Sequence, residues 1–388
     1  MPWAAYAPEE AAGLEGPLTE VMSHGVEAPL SDKAFNELAL AVFRHQCRGN
    51  RVYGAFVRGR ALDPEGVGDW REIPPVPTRA FKEMPLICGD PTDAEALFRT
   101  SGTTRGGESR GEHHVRSLEL YRASLLPNAW AHLRPEEAWP VVRPPAPLRV
   151  LALLPAPDER PDSSLVHMVG VLAGEWDDGG GGFFADGDWR LREGALEEAL
   201  EEAASEDVPV LVAGTAFAFV HWTDRVREGG GAVVLPPGSR VMETGGFKGR
   251  SREVSRADLY RAIAQTLGVP PDRIVNEYGM TELLSQFWEP VLREGGPGNL
   301  KKRRHVGPPW VRTRVLDPRD LTPVAPGEPG ILAHLDLANL HSVAAVLTED
   351  RGVEVEGGFR LLGRSPGAEP RGCSLTMEEL LMSRETDR

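Results

Sequence analysis

Two short, almost wholly apolar runs constrain this chain more than any other feature. They are residues 148–154, LRVLALL, and residues 208–214, VPVLVAG. Both are the length of a strand rather than of a helix, and prolines punctuate them. Apolar residues on consecutive positions suit a strand covered on both faces. GGGAVVLP, residues 229–236, reads as a third buried strand. Helical patterns lie around 190–205, 216–228 and 251–269, the last with Gly268 placed to end it. A short strand is expected in DRIVNEYG. Strands alternating with helices predict an α/β sheet with helices on both faces.

Residues 31–57 read as one helix. Ser31 or Asp32 can cap it, and Phe35, Leu38, Val42 and Phe43 recur at helical spacing. Pro74, Pro75 and Pro77 exclude a regular helix in the next stretch. A further helix is expected at 116–134. From 313 to 364 the pattern becomes short strands and turns, with a hairpin at Glu356-Gly357-Gly358. The expected organisation is a loose segment at 1–30, an α/β core at 31–312 and a smaller β-rich subdomain with a tail at 313–388.

The formal net charge is −15, which argues against nucleic acid or an anionic membrane as the main partner. No run approaches the roughly 20 apolar residues that span a bilayer. The start, MPWAAYAPEEAAGLEG, lacks the basic-then-apolar pattern of a signal peptide. Cys47, Cys88 and Cys373 are far apart and odd in number, which suggests neither a disulfide framework nor a zinc cluster. A cytoplasmic protein with reduced thiols is expected.

Two segments carry chemistry. The first is Thr100-Ser101-Gly102-Thr103-Thr104-Arg105-Gly106-Gly107, after the extended segment ALFR. Its glycines let backbone N–H groups approach an anion, and its hydroxyls can donate to phosphate oxygens. It lacks the Gly-Lys-Ser/Thr ending of a Walker loop, and a polar surface turn is the bland alternative. The second is Asn276-Glu277-Tyr278-Gly279-Met280-Thr281-Glu282, at the end of the expected strand. That is the edge at which open α/β sheets bind ligands. Tyr278 can cover a purine ring, Thr281 can bond phosphate and Glu282 can offer a hard oxygen to Mg²⁺. A capped strand-to-helix turn is the alternative.

Together, TSGTT and YGMTE about 180 residues later resemble the adenylate-forming superfamily, which includes acyl-CoA synthetases and luciferases. The resemblance implies that Thr100, Ser101, Gly102, Thr103, Thr104 and Gly106 hold the phosphates of ATP. It implies that Tyr278 stacks on adenine, Thr281 contacts phosphate and Glu282 binds Mg²⁺. Glu277, Gly279 and Met280 complete that nucleotide-binding segment. A family Asp that bonds both ribose hydroxyls, followed by an Arg, matches Asp350 and Arg364. In many relatives the first loop ends in Pro-Lys. Here it continues Gly-Glu-Ser-Arg, with Arg105 and Arg110 as nearby cations and Arg110 as the candidate substitute.

Near its end the chain reads GRSPGAEPRGCSLTMEELL. RGCSL, GTAFAFVHW, ETGGFKG and NEYGMTELLSQFWEP resemble the acyl-protein synthetase family of the bacterial luciferase fatty-acid reductase system. That resemblance implies an adenylate-forming N-terminal domain without the usual full mobile C-terminal domain. It implies that an acid, a fatty acid, is activated as acyl-AMP and that the acyl group moves to Cys373, with a reductase as partner. With the usual C-terminal lysine absent, Lys248 between glycines is the candidate cation near the acyl-phosphate. His167 and His221 are weaker candidates for the acid pocket, and Cys47 and Cys88 read as structural. Two alternatives remain open. The acceptor can be coenzyme A or a carrier protein, or the chain can be a non-catalytic nucleotide-binding module.

Overall fold

The computed structural model describes residues 8–100, 110–141, 144–229, 231–245, 254–296, 300–364, 376–377 and 379–381. These form two compact units interleaved in sequence. One takes the described parts of Met1–Asn128, Met280–Gln286 and Val306–Arg388. The other takes those of Ala129–Gly279 and Phe287–His305. The chain passes between units inside the Asn276–Glu282 segment, whereas the sequence suggested consecutive blocks.

The second unit holds the expected α/β sheet. Strands Arg149–Leu153, Gly182–Phe183, Val210–Thr215, Arg240–Thr244 and Ile274–Tyr278 run parallel, and Phe287–Trp288 adds an antiparallel edge. Numbered by appearance, the parallel strands lie in the order 2-1-3-4-5, a doubly wound arrangement. Leu151, Leu153, Val210, Val212 and Val241 from the sheet share one core with Leu196, Leu200, Phe219, Trp222, Leu259 and Ile263 from helices. The helix Arg256–Leu267 starts where Ser255 accepts from the Asp258 N–H and ends at Gly268, whose φ of 67° suits glycine.

One expected strand is absent. Residues 231–236 have no regular structure, and Val234 is 78% exposed. Val233 and Leu235 are buried, and their N–H groups donate to Thr266 and Leu267 carbonyls at the end of the helix. The backbone bonds of GGGAVVLP therefore go to a helix terminus, and the ladder position falls to Arg240–Thr244.

In the first unit, the β-rich region at 313–364 is found as expected. Val311–Leu316, Pro329–Asp336, Ala345–Val355 and Gly358–Arg364 form an antiparallel sheet, closed at the predicted hairpin with Gly357 at φ 72°. Val76–Pro77, from the proline-rich stretch, joins it in parallel with Val346–Leu347. Ala96–Arg99 and Glu112–Val115 form a separate two-stranded ribbon.

Two helical expectations are corrected. The helix of residues 31–57 is two helices, Asp32–Gly49 and Arg51–Gly59. Asn50 breaks it: its side chain accepts from the Tyr53 N–H and donates to the Ser342 carbonyl. Within the segment expected to be loose, Pro8–Ser23 is helical despite Gly13, Gly16 and Pro17. Ala11, Leu18 and Met22 are buried, and Glu10 and Glu15 pair with Arg48 and His341. Tertiary contacts overcome the poor propensity.

Candidate active site

The first chemistry-bearing loop is fixed at its base. Thr100 and Gly111 are bonded in both directions: the Thr100 N–H donates to the Gly111 carbonyl, and the Gly111 N–H to the Thr100 hydroxyl, each at 2.9 Å. Arg110 donates to the carbonyls of Thr100 at 2.6 Å and Arg99 at 3.1 Å. The guanidinium thus binds the loop's own backbone, a use that differs from the phosphate cation expected of it. Ser101, Gly102, Thr103, Thr104 and Gly106 lie outside the described residues, as do Lys248 and Cys373.

The second segment divides into two differently supported halves. Glu277 and Tyr278 close the strand Ile274–Tyr278. Tyr278 is mostly buried, its ring 5.7 Å from that of Phe287 and 5.8 Å from that of His305. His305 donates from Nε2 to Asn276 Oδ1 at 2.7 Å. Asn276 and Tyr260 both donate to Glu243 Oε1, at 2.7 and 2.8 Å. Glu289 accepts from Arg256 and Arg303 beside them. Burial holds His305 down at about 4, so its ring is neutral.

Glu277 does not point to solvent. Its carboxyl accepts from the Thr244 hydroxyl. Burial pushes it up to about 7; the Thr244 bond opposes this and the charge of Glu243 adds to it. A Cβ on Gly279 would overlap Glu277 Oε1. Gly279 therefore makes room for a buried carboxyl, a packing reason for a glycine that the sequence suggested faced a ligand.

Met280–Gln286 belongs to the other unit and is held by side chains from far along the chain. His113 donates from Nδ1 to the Thr281 carbonyl at 2.7 Å, and burial lowers its pKa to about 4. Asn339 donates to the Glu282 carbonyl at 2.8 Å. The Leu284 and Ser285 N–H groups donate to Asp336 Oδ2 at 3.1 and 2.8 Å, and the Ser285 hydroxyl to Oδ1 at 2.7 Å. Asn128 donates to the Gln286 carbonyl at 2.7 Å. None of His113, Asp336, Asn339 or Asn128 stood out in the sequence. The signal for Asp336 was an acid in a mostly apolar run, GILAHLDL, where a burial-compatible partner set had to exist.

Asp350 and Arg364 are brought together. They are directly paired across the antiparallel strands, with Nε 3.8 Å from Oδ1. Asp350 is mostly covered and Arg364 largely exposed, with side-chain exposures of 17% and 69%. The weaker candidates do not converge. His221 is on the helix Ala216–Gly229, half exposed, and pairs with Glu193 at 3.0 Å, while His167 is half-buried on the helix Ser164–Trp176.

Among the described residues no group of three or more His, Cys, Asp or Glu side chains could cage a metal. Glu282, the residue expected to face magnesium, is buried, with 6% exposure. The described cysteines are unsuited to chemistry. Burial raises the Cys47 thiol to about 12 and holds the Cys88 thiol higher still. Among the described residues no helix is long and apolar enough to cross a membrane.

Residues 190–382 match the family described as acyl-protein synthetase, LuxE. The chain is 28% identical over 160 residues to a long-chain-fatty-acid–luciferin-component ligase of Aliivibrio fischeri, covering 38% of this chain and 39% of that protein. It is 24% identical over 148 residues to the Vibrio harveyi protein of the same name, covering 36% of each. The matched part thus spans less than two fifths of these relatives' length. Among solved structures, 2-hydroxyisobutyryl-CoA ligase with 2-HIB-AMP and CoA in the thioesterification state superposes with a TM-score of 0.58 at 15% identity. The superposition covers 86% of this chain and 68% of that one. The same ligase in the postadenylation state gives 0.57 at 15% identity, covering 86% and 67%. At such identity the likeness is one of fold alone, the fold shared with that ligase.

Proposed function

We propose that this protein, whose residues 190–382 match the acyl-protein synthetase family LuxE, activates a carboxylic acid with ATP and passes its acyl group to a thiol. The curated relatives are named for long-chain fatty acids, and a fatty acid is the substrate of this reading. The observation that carries it is the segment Asn276–Glu282, at the carboxyl end of a parallel strand within the matched region.

A free carboxylate is a poor acyl donor because oxide is a poor leaving group. Its oxygen attacks the α-phosphorus of ATP, a new P–O bond forms, and pyrophosphate leaves with the electron pair of the broken anhydride. A thiolate then attacks the acyl carbon, and AMP leaves. Tyr278 covers adenine, Thr281 and the Thr100–Gly106 loop bond phosphate, and Asp350 accepts the ribose hydroxyls with Arg364 beside it. Glu277, Gly279 and Met280 shape the segment from within, and Lys248 supplies a cation at the acyl-phosphate. Magnesium, when bound, would neutralise phosphate charge, and Glu282 would hold it.

The acceptor is Cys373, two positions after Arg371 in the sequence, a nearby cation that favours a thiolate. The buried thiols of Cys47 and Cys88 support this choice. An acyl reductase is the partner that would consume the thioester, in a reducing cytoplasm. The test is incubation with ATP, Mg²⁺ and radiolabelled acids from benzoate to tetradecanoate, followed by a denaturing gel. Label on the protein that hydroxylamine and Cys373→Ser both remove is the expected result. AMP release without labelled protein would move the acceptor to coenzyme A or a carrier protein. Tight ATP binding without pyrophosphate exchange would leave a nucleotide-binding module. In the same assay Asp350→Ala should raise the ATP requirement about 100-fold or more, the loss of charged hydrogen bonds.

A further inference from the structure

We infer that Asp336 is a positioning residue for the Thr281–Glu282 pair and sets the magnesium requirement of adenylation. This inference rests on the functional reading above. Between strands Ile274–Tyr278 and Phe287–Trp288, residues 279–286 have no regular structure. One backbone turn bond is recorded within them, from the Leu283 N–H to the Met280 carbonyl. Their remaining backbone order comes from side chains, and Asp336 supplies the largest share.

Asp336 is fully buried. Oδ2 accepts from the Leu284 and Ser285 N–H groups, and Oδ1 from the Ser285 hydroxyl and the Ala338 N–H at 3.0 Å. Three of these partners are backbone N–H groups, which cannot accept, so an oxygen is required opposite each. The Asp336 backbone is itself fixed, paired with Val311 in the sheet and donating to the Ala344 carbonyl. The same carboxylate caps the turn Leu337–Asn339, which carries Asn339. Asn339 holds the Glu282 carbonyl, so Asp336 acts directly after Glu282, at residues 284 and 285, and through Asn339 at Glu282 itself. His113 completes the support at the Thr281 carbonyl. A carboxylate that offers one oxygen to a phosphate-bound magnesium works only in a fixed place. Groups that orient such a ligand commonly change metal affinity by roughly 10- to 100-fold.

Asp336→Asn tests this with nearly unchanged shape, because one carboxylate oxygen becomes an N–H donor facing other donors. Hydrogen exchange should show the Leu284 and Ser285 amides opening roughly 10-fold faster or more, with other regions protected as in the parent. In ATP–pyrophosphate exchange, the Mg²⁺ needed for half-maximal rate should rise roughly 10-fold or more, while KM for the acid stays near the parent's. Ser285→Ala removes one of the four bonds and should shift the Mg²⁺ requirement in the same direction by roughly two- to five-fold. Faster amides with the parent's Mg²⁺ requirement would mean that Asp336 is merely structural, and would overturn the inference. Should Asp336→Asn fail to fold, an unchanged Mg²⁺ requirement in Ser285→Ala overturns it equally. A parent protein that shows no Mg²⁺-dependent exchange overturns the functional reading, and this inference with it.

Discussion

The seven-residue segment Asn276–Glu282 is held in two ways. Asn276, Glu277 and Tyr278 sit in a ladder, with Glu243 and Thr244 on the parallel side and Phe287 and Trp288 on the antiparallel one. Thr281 and Glu282 sit in a loop whose carbonyls are bonded by His113 and Asn339, 168 and 57 residues away in sequence. The ladder half follows from a local apolar run, and any sequence that forms the strand places it. The loop half depends on side chains that must arrive from a ribbon strand and from the end of another sheet. A strand end is therefore robust but generic, and the adjoining loop is specific but costly to disturb.

The largest expected effect is on the loop half. Asp336→Ala would leave buried donors without an acceptor and should cost about 4 kcal/mol in urea unfolding. A cost below about 1 kcal/mol, ordinary for a surface site, would erase the contrast between the halves. Next, Glu282→Gln keeps the shape but removes the charge proposed to hold magnesium. Pyrophosphate exchange should fall about 100-fold, or about 3 kcal/mol, with unfolding near the parent's. Parental exchange would remove Glu282 from the chemistry.

The ladder half should show itself through pH. Glu277 is raised from its ordinary 4.5 to about 7, chiefly by burial. The folded state thus binds this proton more tightly than the unfolded one. The contribution is fully present below about pH 4.5 and is lost as pH rises through 7. Between those limits the parent should lose roughly 3 kcal/mol relative to Glu277→Gln, and above pH 7 the difference should be flat. A difference independent of pH would show that Glu277 is ionised in the fold. The smallest effect is expected at the junction. Gly279→Ala pushes against the end of the Glu277 side chain, which can shift, and should cost about 1 kcal/mol in the same unfolding assay.

Much of the second unit was legible because its signals are local. The runs at 148–154 and 208–214 became strands, and Ser255 and Gly268 bounded the helix between them. GGGAVVLP misled because composition does not say which groups will take its hydrogen bonds; Thr266 and Leu267 do so here. Likewise nothing local at Asn50 announces that its amide will be claimed by Ser342, which divides the helix in two. At the site, Tyr278, Thr281 and Glu282 were visible as a motif, and Asp350 and Arg364 as a spaced pair that the hairpin brings opposite each other.

The amino-acid sequence alone determined the elements whose order arises from neighbours along the chain. These are the strands Arg149–Leu153, Val210–Thr215 and Ile274–Tyr278, the capped helix and the hairpin at Gly357. Only the tertiary structure decided that Glu277 turns inward, that Arg110 binds its own loop and that Asp336 anchors the residues after Glu282. The reason is desolvation. A polar group's role is set by which partners remain once water is excluded, and those partners come from residues that the chain order keeps far apart.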